Sequence, residues 1–293
     1  MEKNTESTPR TLYRIRERFN KNYFEEQAWQ ANQVVCGLDE VGRGCLAGPV
    51  VTAAVILPPG KTSRLLKDSK LMTPEERLAA FKWIDKHCWY SLGIAHHRIV
   101  DERNVWHATL IAMKKALVHL LAVTPQQPSV IITDAMPLNL FDTTYKEIPV
   151  HYFPFGERRS STIAAASIVA KVKRDAMMQR MDKLFPGYLL ASHKGYSTPP
   201  HKRILRESNK HLIIHRDSFL HRLDAAQEDD LAGQIGILQD QELYPAAGEQ
   251  QNIDPSIRNL TISTQDERFS TPFVVSDCEA IVSNHENRDQ SDE

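Results

Sequence analysis

Two acids stand side by side at the end of an apolar run, and a glycine-flanked arginine follows at once: Gly37-Leu38-Asp39-Glu40-Val41-Gly42-Arg43-Gly44. The run from Val34 to Leu38 reads as a buried strand, so Asp39 and Glu40 fall at its end on opposite faces. Ionised carboxylates crowded together repel, and the usual compensation is a divalent cation. Hard Mg²⁺ or Mn²⁺ prefers oxygen ligands together with substrate phosphates. Gly42 and Gly44 let the backbone approach a ligand closely, and Arg43 adds a planar, permanently charged fork for phosphate. The plainer alternative is a strand that ends in a charged turn. The choice between them depends on whether further acids reach the same place.

Asp134 supplies one. It ends the apolar run Val130-Ile131-Ile132, which gives it the same strand-end geometry as Asp39, and a parallel sheet collects such ends along one edge. Strands are expected at residues 34–38, 50–57, 89–97, 130–133 and 148–153. Thr73-Pro74-Glu75-Glu76 is a capping box with proline at the first helical position, opening a helix to about residue 87. Helices follow over 101–121 and 160–185. Leu110, Met113, Leu117 and Leu120 form the buried stripe of the first of these two. Residues 10–30 carry mixed charge with Leu12, Ile15, Phe19, Tyr23, Phe24 and Trp29 at partly helical spacing, which predicts an accessory helix packed on the core; an aromatic and basic RNA-contacting arm is the alternative. Three early strands followed by alternating helices and strands predict an α/β fold.

The opening octet, with Leu46-Ala47-Gly48-Pro49-Val50-Val51 after it, resembles the signature of type 2 ribonucleases H, the ribonuclease HII family. Further segments repeat the resemblance in order: Asp68-Ser69-Lys70-Leu71, Asn104-Val105-Trp106-His107, Ile131-Ile132-Thr133-Asp134, Ala164-Ala165-Ala166-Ser167-Ile168, His193-Lys194-Gly195-Tyr196 and His215-Arg216-Asp217-Ser218-Phe219. It covers roughly residues 32–220. It implies a ribonuclease H-like fold, a mixed five-stranded sheet flanked by helices, with a helical C-terminal extension over 199–223. The domain plan is then an accessory segment, helical, at 1–31, a catalytic domain at 32–223, and a tail at 224–293.

The resemblance also implies the chemistry: an endoribonuclease that cuts the RNA strand of RNA–DNA hybrids and on the 5′ side of single ribonucleotides in duplex DNA. Two-metal hydrolysis with Mn²⁺ or Mg²⁺ would leave 5′-phosphate and 3′-hydroxyl ends, serving ribonucleotide removal and primer processing in replication and repair. Asp39, Glu40 and Asp134 are the implied metal ligands. The family usually has glycine after the third acid, and this chain has Ala135. The fourth acid departs further, since Phe155-Gly156-Glu157 stands where the family has a Lys-Gly-Asp type segment. Glu157 is the expected fourth catalytic acid, and Asp175, several helical turns along, is its competitor. Gly42, Arg43 and Gly44 are the implied readers of the 2′-hydroxyl, the group that distinguishes RNA from DNA. Tyr196 is expected to stack on the sugar of the following deoxynucleotide; without its His-Lys-Gly-Tyr context it would read as a buried structural tyrosine. Lys70, Ser167, Lys171 and Lys194 are candidate phosphate contacts, each with a helix-face or solvated-surface alternative. His193, His201 and His215 lack the tight spacing of a zinc site and are read as structural or phosphate-facing.

Charge agrees with a polyanionic substrate. Residues 224–293 hold 16 acids against three bases, a balance of −13, whereas residues 1–223 carry 33 bases and 21 acids, or +12. Basic side chains displace counterions from phosphates. The tail's composition predicts disorder, and a protein partner, DNA mimicry and dispensability all fit it. Cys36, Cys45, Cys88 and Cys278 show neither Cys-x-x-Cys spacing nor a disulfide framework, which fits the cytoplasm. No apolar run is long enough for a membrane span or a secretion signal. The family resemblance implies a monomer. Two rivals stand beside this reading. Ribonuclease HIII carries threonine at the position of Arg43 and a sizeable N-terminal platform. A catalytically silent nucleic-acid-binding relative is motivated by Ala135, Phe155 and Glu157.

Overall fold

The computed structural model describes residues 11–208 and 211–220. The acidic tail and the first ten residues lie outside them. Six strands form one sheet in the order β1-β6-β5-β2-β3-β4, with β1 Leu12–Arg14, β2 Val35–Val41, β3 Val50–Ile56, β4 Trp89–Ala95, β5 Val130–Asp134 and β6 Val150–Phe153. β2, β3 and β4 form an antiparallel meander, while β5, β6 and β1 continue the sheet from β2 in parallel. The ribonuclease H-like α/β class expected from the sequence is therefore present, with six strands where five were expected. The extra strand is β1. Three residues are too few for a period-two pattern to show, and the aromatic spacing around them reads as helical. Among the described residues of that segment only Tyr23–Gln30 (α1) is helical.

Side-chain alternation along β3 assigns the two helical layers. Ala54 and Ile56 pack with Met113, Leu117 and Leu120 of α3 (His97–Val123), whereas Ala53 and Val55 face Ala164, Ala165, Ile168 and Val169 of α5 (Ser161–Leu184). Small side chains let α5 approach closely. A Cβ on Gly37 would come within 2.7 Å of the Thr162 carbonyl carbon, so only glycine fits in β2 beneath the helix. α2 (Pro74–His87) begins with the predicted capping box, in which Thr73 Oγ1 accepts from the Glu76 N–H and the Glu76 carboxylate accepts from the Thr73 N–H.

α3 begins earlier than its apolar stripe indicates and breaks at Asn104, whose φ is 63°. The Asn104 side chain accepts from the His107 N–H and so caps the longer second part. The N-terminal segment docks on the start of α5. Ser160 Oγ accepts from the Ile163 N–H, Asn22 Oδ1 accepts from the Ser161 N–H, and buried Glu25 accepts from both the Ser160 hydroxyl and the Thr162 N–H. Four donors at one helix start are thereby satisfied. Phe19 and Phe24 pack inward on Phe153, and the Arg159 guanidinium lies 3.6 Å from the centre of the Phe19 ring. Short helices α4 (Gly156–Arg159) and α6 (Leu190–His193) and the helix α7 (Pro199–Ser208) complete the described residues. No helix among them is long and apolar enough to cross a membrane.

Candidate active site

The parallel register of β2 with β5 pairs Leu38 with Thr133, which brings Asp39 and Asp134 to one edge of the sheet. β6 pairs Phe153 with Asp134, and the chain leaving β6 carries Glu157 back toward the same edge. Ala135 and Phe155 both sit at left-handed φ, 56° and 59°. An L-residue is strained there. The turn is fixed by the Gly156 N–H, which donates to Asp134 Oδ1 at 3.0 Å. Asp39, Glu40, Asp134 and Glu157 thus converge, with Asp39 6% and Glu157 5% exposed.

The four acids feel one another. Burial raises the Asp39 carboxyl well above the usual carboxylate range, and the charges of Glu40, Asp134 and Glu157 add to the effect. Burial pushes Asp134 up to about 7, opposed by the Gly156 N–H and reinforced by Glu40 and Glu157. Burial raises Glu40 too, although Arg43 offsets part of it. Asp175 does not share the cluster. It accepts from Lys171 Nζ at 2.9 Å, farther along α5.

Protein cations and a hydroxyl engage two of the carboxylates, Glu40 and Glu157. Arg43 Nη1 lies 3.2 Å from Glu40 Oε1, Lys70 Nζ lies 3.2 Å from Glu157 Oε1, and the Ser167 hydroxyl donates to Glu157 Oε2 at 2.9 Å. Ser69 Oγ stands 2.8 Å from Ser167 Oγ. Among the described residues no three candidate ligands are already drawn around one point. Glu40 Oε2 is buried without a partner, and all four carboxylates are hard oxygen donors with like charges. That set fits a hard divalent cation once Lys70, its side chain 80% exposed, releases Glu157.

A cavity of about 280 Å³ opens beside the acids, lined by Glu40, Val41, Ser69, Lys70, Ser167, Lys171 and Tyr196. Tyr196 is anchored by a backbone bridge to Cys45, its ring lies under Lys171 Nζ (5.2 Å) and the Arg174 guanidinium (5.6 Å), and burial pushes its hydroxyl up to about 12. Lys194 is partly buried, and its ammonium donates to the Ala191 carbonyl three residues earlier. Gly42, Arg43 and Gly44 form the turn after β2. Gly42 has φ 93°, and a Cβ there would meet Arg174 Nε at 2.3 Å, while one on Gly44 would meet open space.

Two residues that the sequence motifs contain, but to which the sequence assigns no role, hold this turn and the backbone beside it. Arg174 and Arg216 are fully buried, and their guanidinium groups donate to main-chain carbonyls: Arg174 to Pro49, Ala47 and Lys194, and Arg216 to Gly42, Arg43 and Gly48. Arginine ordinarily reads as surface, so composition offers no signal for either. His193, His201 and His215 stack and bond in one buried group.

The ribonuclease HII family model matches residues 36–223. A ribonuclease HII from Thermus thermophilus is 42% identical over 183 residues, covering 62% of this chain and 84% of that protein. One from Levilactobacillus brevis is 40% identical over 198 residues, covering 67% and 73%. The crystal structure of ribonuclease H2 from Pyrococcus horikoshii OT3 matches with a TM-score of 0.53 at 23% identity, covering 66% of this chain and 97% of that one. Bst-RNase HIII in complex with Mn²⁺ matches with a TM-score of 0.52 at 21% identity, covering 71% and 74%. These two likenesses show the fold; the family match and the relatives at 40% identity and above decide between the two ribonuclease types. The chain belongs to the ribonuclease HII family, the endoribonucleases that act on RNA–DNA hybrids.

Proposed function

We propose that this chain cuts the RNA strand of hybrids and the 5′ side of single ribonucleotides embedded in duplex DNA, leaving 5′-phosphate and 3′-hydroxyl ends for ribonucleotide removal and primer processing. The observation that carries the reading is the crowding of four mutually repelling carboxylates at one sheet edge beside a cavity, Asp39 and Glu157 buried and Glu40 and Asp134 partly so. Two divalent ions, Mn²⁺ or Mg²⁺, held by Asp39, Glu40 and Asp134 with Glu157 closing the set, would supply the Lewis acidity that activates water and neutralises the leaving 3′-oxygen.

The chain's own residues do the rest. Asp39 and Asp134 must lose their protons before a cation is held, so ion affinity falls as pH falls. Lys70, released from Glu157, takes a phosphate of the cut strand, and Lys171 and Lys194 supply positive charge along the same strand. Ser167 keeps Glu157 oriented. The turn of Gly42, Arg43 and Gly44 brings main-chain groups to the ribose 2′-hydroxyl. Tyr196 presents its ring to the next sugar, where a second 2′-hydroxyl would clash. The plan of an accessory segment at 1–31, a catalytic domain at 32–223 and an acidic tail is part of this proposal, as are a monomeric state, a cytoplasmic location and a protein partner for the tail.

The test is Asp39→Asn and Asp134→Asn. Each removes one ligand and leaves the basic surface intact, so cleavage falls by more than about a hundredfold while hybrid affinity changes only a few-fold. Near-normal turnover in either variant would remove these acids from the chemistry.

A further inference from the structure

The two halves of the proposed ribonucleotide reader, the Gly42–Gly44 turn and Tyr196, come from distant parts of the chain, and two consecutive residues reach both. Arg216 donates through Nη1 to the Arg43 carbonyl and through Nη2 to the Gly42 carbonyl, each at 2.7 Å. His215, its neighbour, begins a chain of imidazoles that ends on Tyr196. The Leu212 N–H lies 2.8 Å from His215 Nδ1. The Leu212 carbonyl lies at 3.3 Å from the same nitrogen and already accepts from the His215 N–H. The shorter contact decides the tautomer, because a protonated Nδ1 would place two hydrogens against each other.

With Nδ1 an acceptor, His215 carries its proton on Nε2 and donates to His201 Nε2 at 3.1 Å. His201 therefore carries its own proton on Nδ1, which donates to the Tyr196 carbonyl at 2.9 Å. Both rings must be neutral for this order, and burial holds both at about 4. His193 braces the row, stacked on His201 at 4.0 Å, accepting from the Gly195 N–H and donating to the Tyr188 carbonyl. Every polar ring atom in the group has a partner, so the row has one arrangement and transmits position.

We infer that His215, through His201, together with Arg216, forms a positioning bracket that sets the distance between Tyr196 and the Gly42–Gly44 turn, and thereby sets the preference for a lone ribonucleotide over a continuous RNA strand. All three side chains are buried and none lines the cavity. The inference rests on the reading of Tyr196 and the turn proposed above.

The experiment compares kcat/KM on duplex DNA holding one ribonucleotide with kcat/KM on a long RNA–DNA hybrid. Tyr196→Ala establishes the reference, a fall in the single-ribonucleotide to hybrid ratio. His201→Leu removes the donor to the Tyr196 carbonyl and is expected to lower the same ratio by about tenfold, the effect of one buried hydrogen bond, with hybrid cleavage within about threefold. His201→Asn places an amide N–H near the Nδ1 position and is expected to restore most of the ratio. In a Tyr196→Ala background His201→Leu should add nothing to the ratio. Equal losses on both substrates in His201→Leu, or an additive double variant, would overturn the bracket while leaving Tyr196 as a reader. An unchanged ratio in Tyr196→Ala would overturn the reader assignment and the bracket with it. Should His201→Leu fail to fold, ¹H–¹⁵N correlation of the histidine rings in the unaltered protein decides: Nε2–H on His215 with Nδ1–H on His201 supports the bracket, and the opposite tautomers overturn it.

Discussion

Glu157 has one methylene more than the aspartate that the family resemblance leads one to expect, and its carboxylate lies between Lys70 and Ser167 within the buried acid cluster. Asp175 is paired with Lys171 outside that cluster. Magnesium demands near-ideal octahedral geometry, so a carboxylate reaching on a longer arm handicaps it more than manganese. Glu157→Asp is expected to change the ratio of Mn²⁺- to Mg²⁺-supported rates by several-fold, and Asp175→Asn to alter both rates by less than about twofold. Steady-state rates with each ion check this, and loss of activity in Asp175→Asn with none in Glu157→Gln would exchange the two assignments. The acids were legible in the sequence because each follows an apolar run or a glycine turn. The roles of Arg174 and Arg216 were not, since nothing local marks an arginine whose partners are main-chain carbonyls, most of them more than 100 residues away.

At the scale of elements, strong local signals held and weak ones yielded to tertiary contacts. The capping box of α2 is complete as read, because all its parts lie within four residues. The strand at Leu12–Arg14 depends on β6, distant in sequence, so spacing alone misreads it. The break at Asn104 is capped locally on His107 but lies upstream of the apolar stripe that marks the helix. The imidazole row joining α7 to the loop that ends in His215 is another long-range feature, and it has a consequence for stability. His201 and His215 stand at about 4, below the 6.5 of a free imidazole, principally through burial; His193, His211, Asp182 and Lys194 are the titratable groups around the row. A lowered histidine pKa means the unfolded chain takes up protons first as pH falls. The contribution of the row is therefore complete above about pH 6.5 and lost progressively between about 6.5 and 4. Thermal melts should show wild type more stable than His201→Asn at about pH 7.5, with the gap in Tm closing as pH approaches about 4. A gap that widens on acidification would contradict neutral imidazoles.

For the whole molecule, charge is separated along the chain, +12 over residues 1–223 and −13 over residues 224–293. Counterion release makes the affinity of a basic surface for nucleic acid fall steeply with salt. Removing residues 224–293 is expected to tighten hybrid binding several-fold at low salt and to have little effect at high salt, where both charge sets are screened. A salt titration of hybrid binding by the full and shortened chains measures it, and equal affinities at low salt would show that the tail does not compete for the basic surface.

In the proposed function, clustered acids at one sheet edge and a two-part reader make this chain a metal-dependent nuclease for a ribonucleotide in DNA. End-mapped cleavage of duplex DNA holding one ribonucleotide, with Mn²⁺, with Mg²⁺ and with chelator, tests it most directly. The expected result is a single cut on the 5′ side of the ribonucleotide, leaving a 3′-hydroxyl and a 5′-phosphate, with either ion and not with chelator. No cut with either ion, or cutting that persists in chelator, would contradict it.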